Sequence, residues 1–356
     1  MADPVSDVIV VGAGPAGLSV ATRLRRKSVL VLNASESPGW PPHCTGLVSP
    51  ETAQRLSAEA VTETFTEAIF LDDSLKEICR IYGKPLAVRV SRPLLEEILS
   101  HRLEEMGHSL HNNSLVDDIR GKCVHVRDKG WLCAGDSVLI ATGYSRFSRL
   151  FGAKHCDALS GLEVRVRLSK RIRDDGFVTL HGSKYAPEFF TWIVPLHGGR
   201  EALVGLAARS DTASRLAAFL HAAERKGLLS IDKLVSHRGG RILRGPPARH
   251  VYRGRVYGLG DVLCASKPFT GGGLYAIAAM APLLTEAIER GNRARLEDEW
   301  SALRSELLLQ RDLTRLAIIY RSFWKIGLVA ACSVQDKCSI SYDKHSSLLR
   351  CLARGR

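Results

Sequence analysis

The sequence predicts an α/β fold (α+β overall), in which a parallel-sheet domain is interrupted by an antiparallel sheet and followed by a helical tail. Three observations predict it. An apolar strand, a glycine turn and a helix open the chain, residues 162–206 alternate between apolar and polar, and a buried strand with a glycine-rich turn returns at Val256. Continuous apolar runs favour buried parallel strands, whereas alternation favours strands with two different faces.

The opening elements form a β-α-β unit. Residues 7–11 (DVIVV) and 28–32 (SVLVL) are typical of buried strands, and residues 18–26 have helical spacing. The turn between them reads Gly12-Ala-Gly14-Pro15-Ala16-Gly17. In a Rossmann-like unit these three glycines permit, in order, the tight turn, backbone approach to a pyrophosphate and close helix–strand packing. A glycine turn that binds nothing is the alternative interpretation.

The second strand ends without the acidic residue that normally holds the ribose hydroxyls of a dinucleotide. The chain has Asn33 there, with Glu36 three positions later. An amide still bonds hydroxyl groups but contributes no charge. We therefore expect Asn33 to contact the ribose more weakly than a carboxylate would.

The middle of the chain supplies a loop, a helix and the second sheet. Residues 37–46 predict a stiff loop because they contain consecutive prolines, and residues 92–106 predict an amphipathic helix that begins at Arg92. Residues 137–140 predict a strand that ends before Gly143. The alternation over 162–206 predicts an antiparallel sheet with one face in water.

These elements predict a discontinuous domain organisation. At 356 residues the chain is long enough for two domains. The nucleotide-binding domain is predicted at 1–50, 88–150 and 245–290. The substrate domain is predicted at 51–87 and 151–244, and a helical C-terminal region at 291–356.

A second glycine-rich segment decides which dinucleotide the domain is expected to bind. Gly260-Asp261 follows the strand at Val256, and Gly271-Gly272-Gly273 follows shortly after. A carboxylate at a strand end suits a ribitol hydroxyl, and backbone N–H groups at 271–273 suit the edge of a flavin ring. A nicotinamide dinucleotide needs no such second corner, so the pair of segments favours FAD.

Composition limits the partners and the compartment. The chain has 50 Lys+Arg against 37 Asp+Glu, a formal charge of +13, which favours anionic partners. The basic residues are spread without interleaved aromatic residues, so we expect no nucleic acid. The nine cysteines are irregularly spaced, which predicts reduced thiols and no metal site. We find neither a signal peptide nor a membrane-spanning segment in the sequence.

A cytoplasmic location follows, and contact with the inner face of a membrane stays open. Residues 316–329 mix apolar side chains with Arg321, Phe323, Trp324 and Lys325, which suits a membrane interface. A helix docked on the protein core is the equally compatible alternative.

Taken together, the glycine turn, Arg92, Ala141-Thr142-Gly143 and the second glycine-rich segment resemble the p-hydroxybenzoate hydroxylase superfamily of flavoproteins. Within it, the chain most resembles the geranylgeranyl reductases, including archaeal reductases of unsaturated ether lipids. His43-Cys44-Thr45-Gly46 resembles the Cys-x-Gly loop of that family. Residues 190–195 (FTWIVP) resemble its Tyr-x-Trp-x-Phe-Pro motif, with Phe190 and Val194 as departures. The resemblance covers about residues 5–285.

The resemblance implies a role for each motif. Arg92 would contact the phosphates or ribose of FAD, and Gly46, like Cys44, would lie beside the cofactor. Phe190, Trp192 and Pro195 would line an apolar substrate channel, with ordinary sheet core as the alternative. For Cys44 we expect a catalytic role, and inert packing or pairing with another cysteine are the alternatives.

The implied reaction is hydrogenation of C=C bonds in a polyprenyl chain. Reduced flavin would deliver a hydride to one carbon and an acid would protonate the other, with electrons from an unidentified donor. A polyprenyl lipid or diphosphate is the expected substrate. A flavin monooxygenase of the aromatic hydroxylase type and a non-catalytic isoprenoid-binding escort protein are the alternatives.

Overall fold

The computed structural model describes residues 5–41, 44–320, 322–335 and 341–343, without the side chains of 322–324, 331 and 334. Within these residues the strands are, in chain order, β1 (Ser6–Val11), β2 (Val29–Leu32), β3 (Leu47–Val48), β4 (Val61–Leu71), β5 (Glu77–Val90), β6 (Ser109–His111), β7 (Val116–Arg120), β8 (Cys123–Val126), β9 (Gly130–Ile140), β10 (Ala158–Leu168), β11 (Gly176–His181), β12 (Phe190–Leu196), β13 (Glu201–Ala208), β14 (Ile231–Leu243), β15 (Tyr252–Arg253) and β16 (Val256–Gly258). The helices are α1 (Pro15–Ala21), α2 (Pro50–Leu56), α3 (Arg92–Glu105), α4 (Thr212–Arg225), α5 (Leu274–Arg290), α6 (Ala294–Ile319) and α7 (Ser322–Val334).

The first sheet holds the two glycine-rich turns. Its strand order is β15-β16-β9-β1-β2-β6, and β1, β2, β6, β9 and β16 run parallel. The helix α1 makes the crossover between β1 and β2. Every residue of β2 is buried, as its uninterrupted apolar sequence predicts. The helix α1 packs against α3 and α5. It ends at Ala21, so the helix that we predicted over 18–26 begins and ends earlier.

The second sheet has the order β14-β10-β13-β12-β11-β4-β5-β3 and is antiparallel except where β11 pairs with β4. This mixed architecture confirms the predicted fold class. The expectation of one wetted face is wrong for β12 and β13, which are buried along almost their whole length. One face packs against Leu216 and Phe219 of α4, and the other faces a cavity.

The cysteines depart from the expectation of reduced thiols. Cys123 and Cys133 lie opposite each other in the β8–β9 ladder and form a disulfide, with Cα atoms 4.0 Å apart. A second disulfide joins Cys79 of β5 to Cys332 of α7. Sequence spacing gave no sign of either pair, because strand register and helix docking bring them together. Within the described residues no helix is long and apolar enough to cross a membrane.

Candidate active site

A cavity of about 1110 Å³ runs from the glycine turns of the first sheet to the second sheet. Its volume exceeds the roughly 300–1,000 Å³ of most small-molecule sites, so it has room for more than one ligand. We call the part beside the glycine turns the cofactor half, and the part beside the second sheet, α6 and α7 the apolar half. The predicted residues that line the cavity are Gly12, Gly14, Pro15, Ala16, Asn33, Cys44, Gly46, Arg92, Gly143, Phe190, Trp192, Gly260, Asp261, Gly271, Gly272 and Gly273.

The three glycines of the first turn have different surroundings. A Cβ atom on Gly12 would lie 2.4 Å from the carbonyl oxygen of Ala141, and one on Gly17 would lie 1.9 Å from the carbonyl oxygen of Gly12. Both glycines are therefore required where backbone packs on backbone. A Cβ on Gly14 would meet nothing closer than Glu96 Oε1 at 3.9 Å. Gly14 thus leaves open space on the cavity side, which fits the approach of a pyrophosphate.

Two polar side chains flank this turn. Asn33 is buried and donates hydrogen bonds to Asn112 Oδ1 (2.8 Å) and the carbonyl oxygen of Ser35 (3.2 Å). Arg92 is the first residue of α3 and forms an ion pair with Glu96 one turn later. Burial lowers the pKa of Arg92, but the negative charge of Glu96 outweighs burial and raises the pKa above its ordinary value. The guanidinium therefore stays charged at the cavity wall.

The second glycine-rich segment folds back onto Asp261. Ser266 Oγ donates to Asp261 Oδ1 (3.2 Å), and a Cβ on Gly273 would lie 3.3 Å from the same oxygen. The hydroxyl of Thr270 is buried and has no hydrogen-bond partner among the described residues. A buried hydroxyl at a cavity wall costs free energy unless a ligand bonds it. This hydroxyl and the open space at Gly14 both fit FAD.

The loop with Cys44 lies between the two halves of the cavity. Gly46 has φ +85°, and a Cβ there would lie 2.1 Å from the carbonyl oxygen of Val90, so the loop is held against the end of β5. The hydroxyl of Thr45 donates to Glu163 Oε2 (2.6 Å). Cys44 is a free, partly buried thiol that lines the cavity. His43 lies outside the described residues.

Glu163 is a buried carboxylate that sequence reasoning missed. It is 5% exposed on β10, and it accepts hydrogen bonds from Trp192 Nε1 (2.7 Å) and Arg238 Nε (2.6 Å) in addition to Thr45. Its position in the alternating pattern predicted a side chain in water, but that face of β10 borders the cavity. The sequence held no signal for this, because only the structure shows that this face of β10 is covered.

The side chains of β12 alternate between two faces of the sheet. Phe190 and Trp192 line the apolar half, as predicted. Pro195 does not, because residues of odd number in β12 point to the opposite face, where Pro195 lines a separate cavity of about 80 Å³. The role assigned to Pro195 as a substrate-lining residue is therefore wrong. Beside Phe190, His181 is stacked at 4.7 Å between ring centroids, and burial lowers the pKa of this histidine to about 3.

The C-terminal residues 341–343 also line the cavity, which the sequence did not predict. Lys267 Nζ and Asp343 Oδ1 form a buried ion pair at 2.5 Å. Burial opposes ionisation of Asp343, yet the charge of Lys267 holds the pKa of that carboxyl below its ordinary value. Burial, and then the negative charge of Asp343, raises the pKa of Tyr342 well above its ordinary value. The phenol of Tyr342 therefore keeps its proton at neutral pH.

Several known proteins are similar to this chain. A family model described as lycopene cyclase protein matches residues 7–172. An uncharacterised protein of Methanocaldococcus jannaschii is 24% identical over 301 residues, 80% of this chain and 75% of that protein. The chloroplastic lycopene beta cyclase of Nicotiana tabacum is 30% identical over 152 residues, 40% of this chain but only 28% of the cyclase.

Among solved structures, a geranylgeranyl bacteriochlorophyll reductase-like protein of Thermoplasma acidophilum has a TM-score of 0.77 at 17% identity, covering 98% of this chain and 96% of that one. The p-nitrophenol 4-monooxygenase of Pseudomonas putida has a TM-score of 0.72 at 17% identity, covering 99% and 98%. The chain has the fold of the flavin-dependent oxidoreductases. The prediction of FAD as cofactor is confirmed by this fold, and the residues of the cofactor half fit it.

Proposed function

We propose that this flavoprotein hydrogenates C=C bonds of a polyprenyl chain carried by an isoprenoid lipid or diphosphate. The observation that carries the proposal is the apolar half of the cavity, which is continuous with the cofactor half and meets it at the Cys44 loop. The fold shared with a geranylgeranyl reductase-like protein supports it. Both the lipid substrate and an external electron donor are part of the proposal.

Each half of the cavity has a defined task in this scheme. Gly14, Asp261 and Thr270 would hold FAD, which would supply a hydride when bound and reduced. Phe190 and Trp192 hold the polyprenyl chain and keep water away from it. Because Glu163 bonds both Trp192 and Thr45, it fixes the aromatic wall relative to the Cys44 loop.

An isolated alkene accepts a hydride poorly unless one of its carbons is protonated, so the protein must place an acid beside the chain. We assign this task to the thiol of Cys44, which lines the cavity where its two halves meet. Tyr342 is the second candidate donor, because its phenol also lines the cavity and is protonated at neutral pH. The Cys44 thiolate that remains regains a proton from solvent before the next turnover.

The test is anaerobic reduction of the purified protein with dithionite, followed by incubation with a geranylgeranylated lipid and mass spectrometry. The proposal expects a mass gain of one H₂ for each reduced bond. A product of unchanged mass but altered structure would indicate cyclisation instead, in line with the lycopene cyclase match over residues 7–172. Unreacted lipid with flavin fully bound and reduced would refute reduction.

Variants then test the acid. Cys44→Ala should lower kcat by about 10² or more, the usual contribution of a positioned acid, with unchanged flavin content. Cys156→Ala is the matched control, because Cys156 is also a free thiol but is buried in the core of the first sheet. Normal turnover by Cys44→Ala would remove Cys44 from the chemistry, and Tyr342→Phe would then show whether the phenol acts alone.

An aromatic monooxygenase is the second candidate, because the p-nitrophenol 4-monooxygenase covers nearly the same chain length with a TM-score of 0.72. Such an enzyme consumes NAD(P)H in air and does so faster with its phenol bound. Rapid phenol-stimulated NAD(P)H oxidation would support this candidate over lipid reduction.

A further inference from the structure

Helices α6 and α7 contact each other and present a shared apolar face to the surface. It includes six aliphatic side chains that are 42–69% exposed: Leu309, Leu313, Leu316, Ile319, Ile326 and Val329. Single exposed leucines are ordinary, whereas a cluster of this kind marks an interaction site. We call these six residues the apolar face.

The sequence of α6 shows that this face is additional to what the fold requires. The buried positions Leu303, Leu307 and Thr314 form one stripe against the protein core. Leu309, Leu313 and Leu316 repeat at intervals of four and three, which forms a second stripe on the same helix. The second stripe lies one residue out of phase, about 100° around the helix. Docking α6 onto the protein requires the first stripe only.

The apolar face surrounds an opening of the cavity. Leu313 and Ile326 belong to the face, being 42% and 63% exposed, and both also line the cavity. Behind them, Ala317 and Leu328 line the cavity at 9% and 8% exposure. The apolar half therefore reaches the surface between α6 and α7. Aliphatic side chains at such an opening give a polar solute nothing to bond, but they suit an apolar chain that arrives from a lipid phase.

Charges beside the apolar face indicate which lipid surface it suits. Arg315 and Lys325 are exposed on the same two helices, and Arg311 is paired with Asp312. The local balance is positive, as is the formal charge of +13 for the whole chain. Exposed cations around an inserted apolar face attract anionic phospholipid headgroups.

We propose that the apolar face inserts into the surface of an anionic phospholipid bilayer, and that the opening between α6 and α7 admits the apolar chain of a lipid directly from the membrane. This inference does not depend on which bond is changed inside the cavity. Arg321 and the side chains of Phe323 and Trp324, which the sequence suggested for this contact, lie outside the described residues.

The test is vesicle flotation of the full-length, flavin-loaded protein. We expect it to float with vesicles of phosphatidylglycerol and phosphatidylcholine, and less with phosphatidylcholine alone. The double variant Leu316→Ser/Ile319→Ser should lower the partition coefficient by roughly tenfold or more per side chain, because each loses the burial of an aliphatic group. Leu234→Ser/Val235→Ser is the matched control, since these β14 side chains are 54% and 40% exposed. It should float like wild type.

Three results would overturn the inference: wild type that fails to float, a double variant that floats normally, or an equal loss in the control pair. Gel filtration adds a fourth result that would overturn it. If the wild type is a dimer and the double variant is a monomer, the apolar face is a contact between two copies of the chain. Turnover of detergent-dispersed lipid is measured separately. Normal turnover without vesicle binding would refute the membrane inference and leave the proposed function standing.

Discussion

The two halves of the cavity are built in different ways. In the cofactor half, glycines permit backbone to approach backbone, as at Gly12 and Gly17. These glycines belong to motifs that can be recognised in the sequence. In the apolar half, side chains from the second sheet, α6 and α7 form the wall, and buried carboxylates are held by partners far away in the sequence. Thr45 and Glu163 are 118 residues apart, and Lys267 and Asp343 are 76 apart. Close backbone packing therefore shapes the cofactor half, whereas hydrogen bonds and ion pairs between distant side chains shape the apolar half.

The largest effect is expected in the cofactor half, at Gly17. The Cβ of Gly17→Ala would lie 1.9 Å from a backbone oxygen that cannot move independently of β1. We expect a loss above about 4 kcal/mol, enough to unfold many domains of ordinary stability. Thermal unfolding monitored by circular dichroism measures it. A variant that folds normally would show that the turn is less tightly packed than described.

Gly14→Ala separates cofactor binding from folding in the same turn. Gly14 has φ −82° and ψ −176°, which alanine adopts freely, and the new methyl would enter open space. We expect a stability change within about 0.5 kcal/mol in the flavin-free protein. Flavin content after gel filtration should fall sharply, because the methyl occupies the approach of the pyrophosphate. Full flavin retention would contradict this use of the turn.

In the apolar half, Glu163→Ala should have the next largest effect. It leaves Arg238 without its carboxylate and Trp192 without its acceptor, and breaking a buried pair from one side costs about 3 kcal/mol or more. Glu201→Ala is the matched control on β13, because its partners Arg165 and Arg167 are 38% and 57% exposed. The control should cost about 1 kcal/mol or less. Equal losses from urea titrations would mean that Glu163 is an ordinary surface partner.

A pH prediction comes from His181, also in the apolar half. Its folded-state pKa of about 3 lies below the ordinary value of 6.5, so the unfolded chain binds the proton more tightly. Stability from this group is therefore present above pH 6.5 and is lost as the pH falls from 6.5 toward 3. Between pH 6.5 and 5 the loss is about 2 kcal/mol. His181→Phe should flatten the pH dependence of unfolding by this amount, and an unchanged slope would mean that His181 is already charged in the folded protein.

The same contrast explains how far the sequence predicted the molecule. Gly12, Gly14, Gly17 and the Gly260-Asp261 corner could be found because each belongs to a motif within a short segment, even though Gly12 packs against the distant Ala141. Glu163 could not, since its polar position in an alternating strand is equally compatible with water. Tyr342 carries no motif, and only the return of the C-terminal segment to Lys267 brings it to the cavity.

The smallest effect is expected for a substitution at Pro195. Compared with a substitution at Trp192, it tests which face of β12 contacts the substrate. Trp192 lines the cavity and bonds Glu163, whereas Pro195 lies on the opposite face. Trp192→Phe removes the indole N–H and should raise KM for a polyprenyl lipid several-fold, since a lost hydrogen bond costs about 1 kcal/mol. Pro195→Ala should leave KM unchanged and lower the free energy of unfolding by about 1 kcal/mol or less. If Pro195→Ala raised KM as much as Trp192→Phe, the chain of the substrate would have to contact both faces of β12, which α4 and the packing around Ile193 prevent in this fold.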